Sequence, residues 1–459
     1  MKELFTKIWN PVFANDLDAF IPEVWAQESL MVLEANMVAA NLVHRDFEDE
    51  IAMFGDTVNT RRPATFTGKR KVDTDDVTIQ DATATNVPVV LNQHLHTSFL
   101  IRDGEESKGF KALRQEYLVP AIQSIAQMVD EVVLGQVYDF QSTLVGKLGT
   151  DITKATVIAA REAMNTNKVP LVGRNIILTP NAEGDLLEVV DFTNAEKIGD
   201  DGTAMREGSL GRKMGFDFFM SQNAPSVATG STVVTGAVNE AGGSAIGDTT
   251  ITVDGLSAAI AAGSWCTIAG DMTPQMITAT VGGATPTELT ISPGLRSAIV
   301  DDAVVTIYTP GAVNLGAGYA AGYGKTLVVD GFSVAPKIGQ MVSFGATAGR
   351  YSALSTPTTT ALDLSRPLDA SVADDAVVGL GPAGDYSFAF HRNAISLVTR
   401  PLAPPAEGTG ALSFVANYNG LAVRVTITYN GEKQGHLVTV DLLCGVKTLD
   451  TSLGCMILG

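Results

Sequence analysis

A tandem repeat constrains this chain more than any other feature. Ile251-Thr252-Val253-Asp254-Gly255-Leu256 returns 76 residues later as Leu327-Val328-Val329-Asp330-Gly331-Phe332. Leu289-Thr290-Ile291-Ser292-Pro293-Gly294-Leu295 returns 73 residues later as Leu362-Asp363-Leu364-Ser365-Arg366-Pro367-Leu368, and Asp301-Asp302-Ala303-Val304-Val305 returns at the same offset as Asp374-Asp375-Ala376-Val377-Val378. Three matches in the same order make roughly 236–384 two copies of one unit. Short apolar-polar alternations between Gly and Pro turns predict five or six strands per copy, a small barrel or sandwich. The copies are placed at about 236–311 and 324–384, joined by the glycine-rich stretch 316–324 and each closed on itself, so that deleting 312–384 should leave a folded chain. The span 224–384 holds 5 Lys/Arg and 12 Asp/Glu, sparser than the chain's 18%. Asp254-Gly255 and Asp330-Gly331 read as β-turns, and the pairs Asp301-Asp302 and Asp374-Asp375 as solvated turn acids rather than calcium ligands.

The flanks of this insertion read differently. At 459 residues the chain is too long for one core. Pro22 opens a helical stretch over 23–41, followed by the acidic knot Asp46-Phe47-Glu48-Asp49-Glu50. Residues 59–103 are rich in Thr and Val with few large apolar residues, which predicts a long β-arm with Gly68 and Lys69 at a hairpin tip. Helical spacing of Leu113, Tyr117, Ala121, Ile125, Met128 and Val132 predicts a helix over 105–140, kinked or broken at Pro120. A helix at 154–166, a buried strand at 175–180, a short helix at 182–190 and three strands after 412 complete a mixed α+β body. The chain leaves this body near 223 and re-enters near 385. Such an insertion costs little, because loop-closure entropy grows only logarithmically with length.

No catalytic constellation stands out. Gly318 to Thr326 tempts as a phosphate loop, but Tyr319 occupies the position that motif needs as glycine. His94 and His96 alternate on one strand as two metal ligands would, without a third at plausible spacing. Cys266, Cys444 and Cys455 are odd in number and form no CxxC. No nucleophile or zinc-hydrolase motif occurs, so no enzyme and no cofactor is expected. The net charge of −19 argues against bulk binding to nucleic acid or to an anionic membrane. No signal peptide and no membrane span are expected, and synthesis in a reducing cytoplasm is. The densest basic cluster is Arg61, Arg62, Lys69, Arg70 and Lys71. An arm without a core needs a partner surface, and Asp46, Glu48, Asp49, Glu50, Glu105 and Glu106 of a neighbouring copy offer acidic contacts.

Several segments carry a family resemblance. These are Ile21-Pro22-Glu23-Val24-Trp25-Ala26 with Gly55-Asp56-Thr57-Val58, Tyr117-Leu118-Val119-Pro120-Ala121 leading to Met128-Val129-Asp130, Gly211-Arg212-Lys213-Met214-Gly215-Phe216, Phe390-His391-Arg392-Asn393-Ala394-Ile395 and Thr250 to Gly255. In this order they resemble the major capsid proteins of tailed bacteriophages with the Hong Kong 97-type fold, and within them the P-twenty-two-like coat group with an inserted β-barrel domain. The doubled insertion departs from that pattern. The resemblance implies an N-terminal arm and helix over 1–58, an E-loop over 59–103 and a spine-helix P-domain over 104–170. It implies an A-domain built from 171–223 and 385–459 around the inserted β domain 224–384. It also implies a virion shell assembled from pentamers and hexamers in the host cytoplasm and held by many weak contacts. The partners it implies are a scaffolding protein, a portal and, optionally, a decoration protein, with packaged DNA met only non-specifically. The alternative is a carbohydrate-binding or adhesive surface protein using aromatic residues of the modules, namely Trp265, Tyr308, Phe332, Phe344 and Tyr351, with Tyr319 and Tyr323 between them.

Overall fold

A computed structural model describes residues 37–45, 57–62, 66, 68–71, 73, 76–77, 79, 85–103, 117–193, 208, 210–227, 233–345, 349–354, 357–400, 402–406, 410–418 and 421–459. The chain divides into two compact units, one containing 94–126 and 399–443, the other 37–93, 127–398 and 444–459.

The first unit is an antiparallel sheet with a one-sided apolar pattern. Leu421–Asn430 lies between Leu412–Tyr418 and Gly435–Thr448, with Arg424 opposite Asp441 and Ile427 opposite Leu412. Val423, Val425 and Ile427 alternate with Arg424, Thr426 and Thr428, so one face is buried and the other polar. Gln93–Arg102 pairs with Gly435–Thr448. It was expected in the arm, but Leu95 and Ile101 are buried, and that burial recruits it to a sheet.

The second unit is built on a mixed sheet. Its order is Leu144–Gly146, Gly454–Leu458, Gly384–His391, Arg174–Leu178, Phe216–Met220 and Arg212–Lys213. All five residues of Arg174–Leu178 are buried. Helix Lys154–Thr166 packs Val157, Ala160 and Met164 into the same core as Ile176, Phe216 and Ile457. It begins at a capping box in which Thr153 and Thr156 satisfy each other's backbone N–H groups. Helix Pro180–Glu188 starts with proline where no N–H partner is needed, and the Thr179 hydroxyl accepts from Ala182 N.

Helix Val119–Leu134 places Pro120 in its first turn, directly after a π-helical turn at Tyr117 and Leu118. The helical backbone thus changes type at Pro120, and residues 104–116 before it lie outside the described residues. The chain continues as a 3-10 helix, Gly135–Phe140.

The insertion leaves and returns through a paired neck. Ser226–Val227 lies antiparallel to the start of Gly384–His391, with Val227 opposite Gly384. Between them stand two closed six-stranded barrels. The first runs from Val233–Val238 to Val304–Tyr308 and the second from Gly311–Val313 to Val377–Leu380, with identical strand order. Ile251, Val253, Leu289 and Val305 line one core, and their counterparts Leu327, Val329, Leu362 and Val378 line the other. The repeated turns recur with like backbone angles and one like hydrogen bond. Gly255 and Gly331 have φ of 69° and 77°, and Asp302 and Asp375 have 61° and 56°. Asp301 accepts from Glu240 N at 2.8 Å, as Asp374 does from Leu315 N at 2.9 Å.

One expectation fails. Residues 316–324 are not a linker, because the second barrel already begins at Gly311. Tyr319 is buried, bridges Val372 and accepts from Val328 N at 2.7 Å through its hydroxyl. Gly318 lies in left-handed backbone against Val372 O, so this glycine gives close approach rather than flexibility.

Candidate interaction surfaces and anchors

The basic arm is a two-stranded ribbon. Thr57–Arg62 pairs with Thr85–Val90, which puts Arg61 opposite Asn86 and Arg62 opposite Thr85. Beyond this pairing Lys69, Arg70 and Lys71 are exposed. Phe66, at 64% exposure, and Ile79, at 87%, accompany them. Two strands alone bury too little to be stable, so large apolar residues left open here mark a contact surface. The acidic residues expected to meet this arm, Asp46, Glu48, Asp49, Glu50, Glu105 and Glu106, lie outside the described residues.

The barrels are held by arginines that the sequence analysis did not single out. Arg366 follows the strand Ala361–Leu364 of the second barrel. Its guanidinium donates to both carboxylate oxygens of Asp139 at 3.1 Å and to Gln136 Oε1 at 2.8 Å. It also pairs with Asp369 at 3.2 Å and lies 5.1 Å from the Tyr351 ring centre. Burial works against its charge, but Asp139 and Asp369 outweigh burial and hold its pKa above the ordinary arginine value. Thr448 donates to the same Asp139 at 2.9 Å, and Lys447 bridges Asp369 at 3.4 Å.

The first barrel uses the corresponding loop. Arg296 donates to Ser142 O at 2.9 Å and Leu144 O at 3.0 Å, and burial pushes its pKa down. The buried Asp271 carboxylate accepts from the backbone N–H groups of Arg296 and Ser297 and so shapes that loop. Each barrel thus places one arginine on the segment 135–146, though at non-equivalent positions of the repeat.

The two barrels also touch. Trp265 Nε1 donates to Ser343 Oγ at 2.9 Å in a buried setting, and the Arg350 guanidinium lies 5.2 Å from the Trp265 ring centre. Tyr138 donates to Gly339 O at 2.6 Å. Each module closes its own sheet and also shares polar contacts with its surroundings. A polar cleft of about 400 Å³ opens beside this junction, lined by Asp139, Gln141, Arg350, Lys447, Thr448 and Asp450 among others.

Asp130 is a further anchor. It is buried on helix Val119–Leu134 and accepts from Val38 N at 2.8 Å and Ala40 N at 3.1 Å, capping the short helix Ala39–Leu42 from 90 residues away.

The candidate chemistry of the sequence finds structural partners. His94 Nε2 lies 3.4 Å from Asp441 Oδ2, and Arg424 also holds that carboxylate. Among the described residues no group of three or more His, Cys, Asp or Glu is placed to hold a metal, and no helix is long and apolar enough to cross a membrane. Burial pushes the thiols of Cys266, Cys444 and Cys455 up to about 12, far from thiolate reactivity.

No family model matches this sequence, and no curated protein does. Among solved structures, the chain is similar to one from Mycobacterium phage Che8 at 13% identity with a TM-score of 0.43, over 92% of this chain and 90% of that one. It is similar to the capsid structure of cyanophage P-SCSP1u at 11% identity and a TM-score of 0.40, over 88% and 84%. The capsid of Ralstonia phage GP4 matches at 10% identity and a TM-score of 0.40, over 91% and 86%.

Proposed function

We propose that this chain is a major capsid protein of a tailed bacteriophage, self-assembling into an icosahedral shell around double-stranded DNA. One observation carries the reading: a mixed sheet body sends two closed barrels out through a paired neck, while a separate ribbon holds basic and apolar residues open to solvent. This is the order of parts expected of a Hong Kong 97-type coat protein with an inserted barrel domain. In that reading Thr57–Arg62 and Thr85–Val90 belong to the E-loop, Val119–Leu134 is the spine helix, and the barrels decorate or bridge capsomers. The acidic balance of −19 keeps such a shell from clinging to the DNA it encloses. Scaffolding, portal and decoration proteins are its proposed partners.

The adhesive alternative loses support from the aromatic residues it needs. Trp265, Phe332, Phe344, Tyr351 and Tyr319 are buried in barrel cores or at the barrel junction, and Tyr308 and Tyr323 are half-buried.

Sedimentation velocity with electron microscopy of the fast fraction tests the proposal. Closed shells or curved sheets are expected, with the chain alone or co-expressed with neighbouring genes. A single-chain species under both conditions would overturn it.

A further inference from the structure

We propose that the tip of the basic ribbon of one copy docks on the exposed patch around Ile246 and Val300 of the first barrel of a second copy. This inference rests on the coat-protein reading and names the surface through which copies meet.

The argument starts from a surplus in the first barrel. Ile246 and Val300 are 67% and 73% exposed, on two loops joined by the Ser244–Ile299 bridge. The second barrel supplies an internal control. Its bridge is Tyr319–Val372, and Gly247 N bonding Leu295 O at 2.7 Å corresponds to Gly322 N bonding Leu368 O at 2.7 Å. In that register Ile246 corresponds to Ala321 and Val300 to Ala373. The same turns therefore close with alanine at both places, so folding does not call for large apolar side chains there. Their exposure on one twin alone marks a contact.

The rim identifies the partner. Glu240, Asp248, Asp301 and Asp302 stand on the same loops as the pair, whereas Leu315 replaces Glu240 on the second barrel and Tyr323 replaces Asp248. The segment between the two ribbon strands is the complementary object, carrying exposed Lys69, Arg70 and Lys71 and exposed Phe66, Val77 and Ile79. Opposite charges steer and orient such an encounter, and apolar burial holds it. Both patches stay open within the single chain, so the chain does not cover its own barrel with its own tip. A contact between two different patches is heterologous, and heterologous contacts close into rings when the rotation permits, the geometry a capsomer needs.

Cross-linking tests the contact. Chains carrying Arg70→Cys are mixed with chains carrying Val300→Cys and oxidised during assembly. Cys266, Cys444 and Cys455 are buried and do not compete. Proximity in the assembled state should raise the mixed disulfide about 10²-fold over the control pairing Arg70→Cys with Ala373→Cys. Phe66→Cys and Gly68→Cys repeat the test, so that one misaligned Cβ vector does not decide it. The double variant I246A/V300A, which copies the second barrel, should melt like the parent yet assemble poorly. Shells that form without any tip-to-barrel disulfide, or that form normally from I246A/V300A, would overturn the docking and leave the coat-protein reading standing. Absence of all self-association would overturn both.

Discussion

Replacing Arg366 by alanine should release the second barrel from the segment that follows the long helix. The side chain is 8% exposed and Asp139 is 16% exposed, so their pairing is scarcely screened by solvent. Truncating one partner of such a buried, bidentate pair leaves the other charge uncompensated, at a cost of about 3–5 kcal/mol. The Asp369 contact adds little, because that carboxylate is 39% exposed. At 1.4 kcal/mol per decade, amides protected through this anchor should exchange about 10²- to 10⁴-fold faster. Native-state hydrogen exchange read on Met341–Phe344, Ala361–Leu364 and Gly135–Phe140 measures this, with Arg174–Leu178 as the internal reference. A double-mutant cycle with Asp139→Asn isolates the pair, and a coupling of about 1–3 kcal/mol is expected. Arg366→Lys should recover only part, since an ammonium cannot make the two-pronged contact. A loss below about 1 kcal/mol with coupling near zero would refute the reasoning and reduce the contact to an ordinary surface pair.

Arg296→Met should loosen the first barrel in the same way by about 1–3 kcal/mol, since two hydrogen bonds from a charged donor are lost, and exchange across Trp265–Ile268 would report it. Gly379→Ala should cost about 1–3 kcal/mol in chemical denaturation, because the new Cβ runs into Gly263 O and crowds Trp265 and Ser343 at the barrel junction. Burial raises the Asp130 carboxyl to about 6 against the pull of the Val38, Ala40 and Ala39 N–H groups. The unfolded chain therefore ionises first, and stability falls by on the order of 3 kcal/mol as pH rises from about 4 to 6. Asp130→Asn should remove that slope, and denaturation midpoints across this range that still fall as in the parent would contradict the assignment.

The repeat was legible because its information is local. Strand alternation, Asp-Gly turns and an in-register return of Ile251 as Leu327 and of Leu289 as Leu362 sufficed to place two like β modules in a mixed α+β chain. Helix Lys154–Thr166 and the strand at Arg174–Leu178 were legible for the same reason, as apolar periods shorter than the elements they specify. The anchors were not. Arg366 reads as one residue of a turn, and nothing near it in sequence names Asp139, which lies 227 positions away. Gln93–Arg102 looked like arm until Leu95 and Ile101 found a buried face. Residues 316–324 looked flexible because glycine serves both a loose linker and a close backbone approach, and only Val372 O beside Gly318 separates the two. Periodicity within a segment determines what that segment can become. Which segments meet, and which charges lose their water when they do, is decided by the tertiary structure, because desolvation and pairing depend on neighbours that the local sequence does not contain.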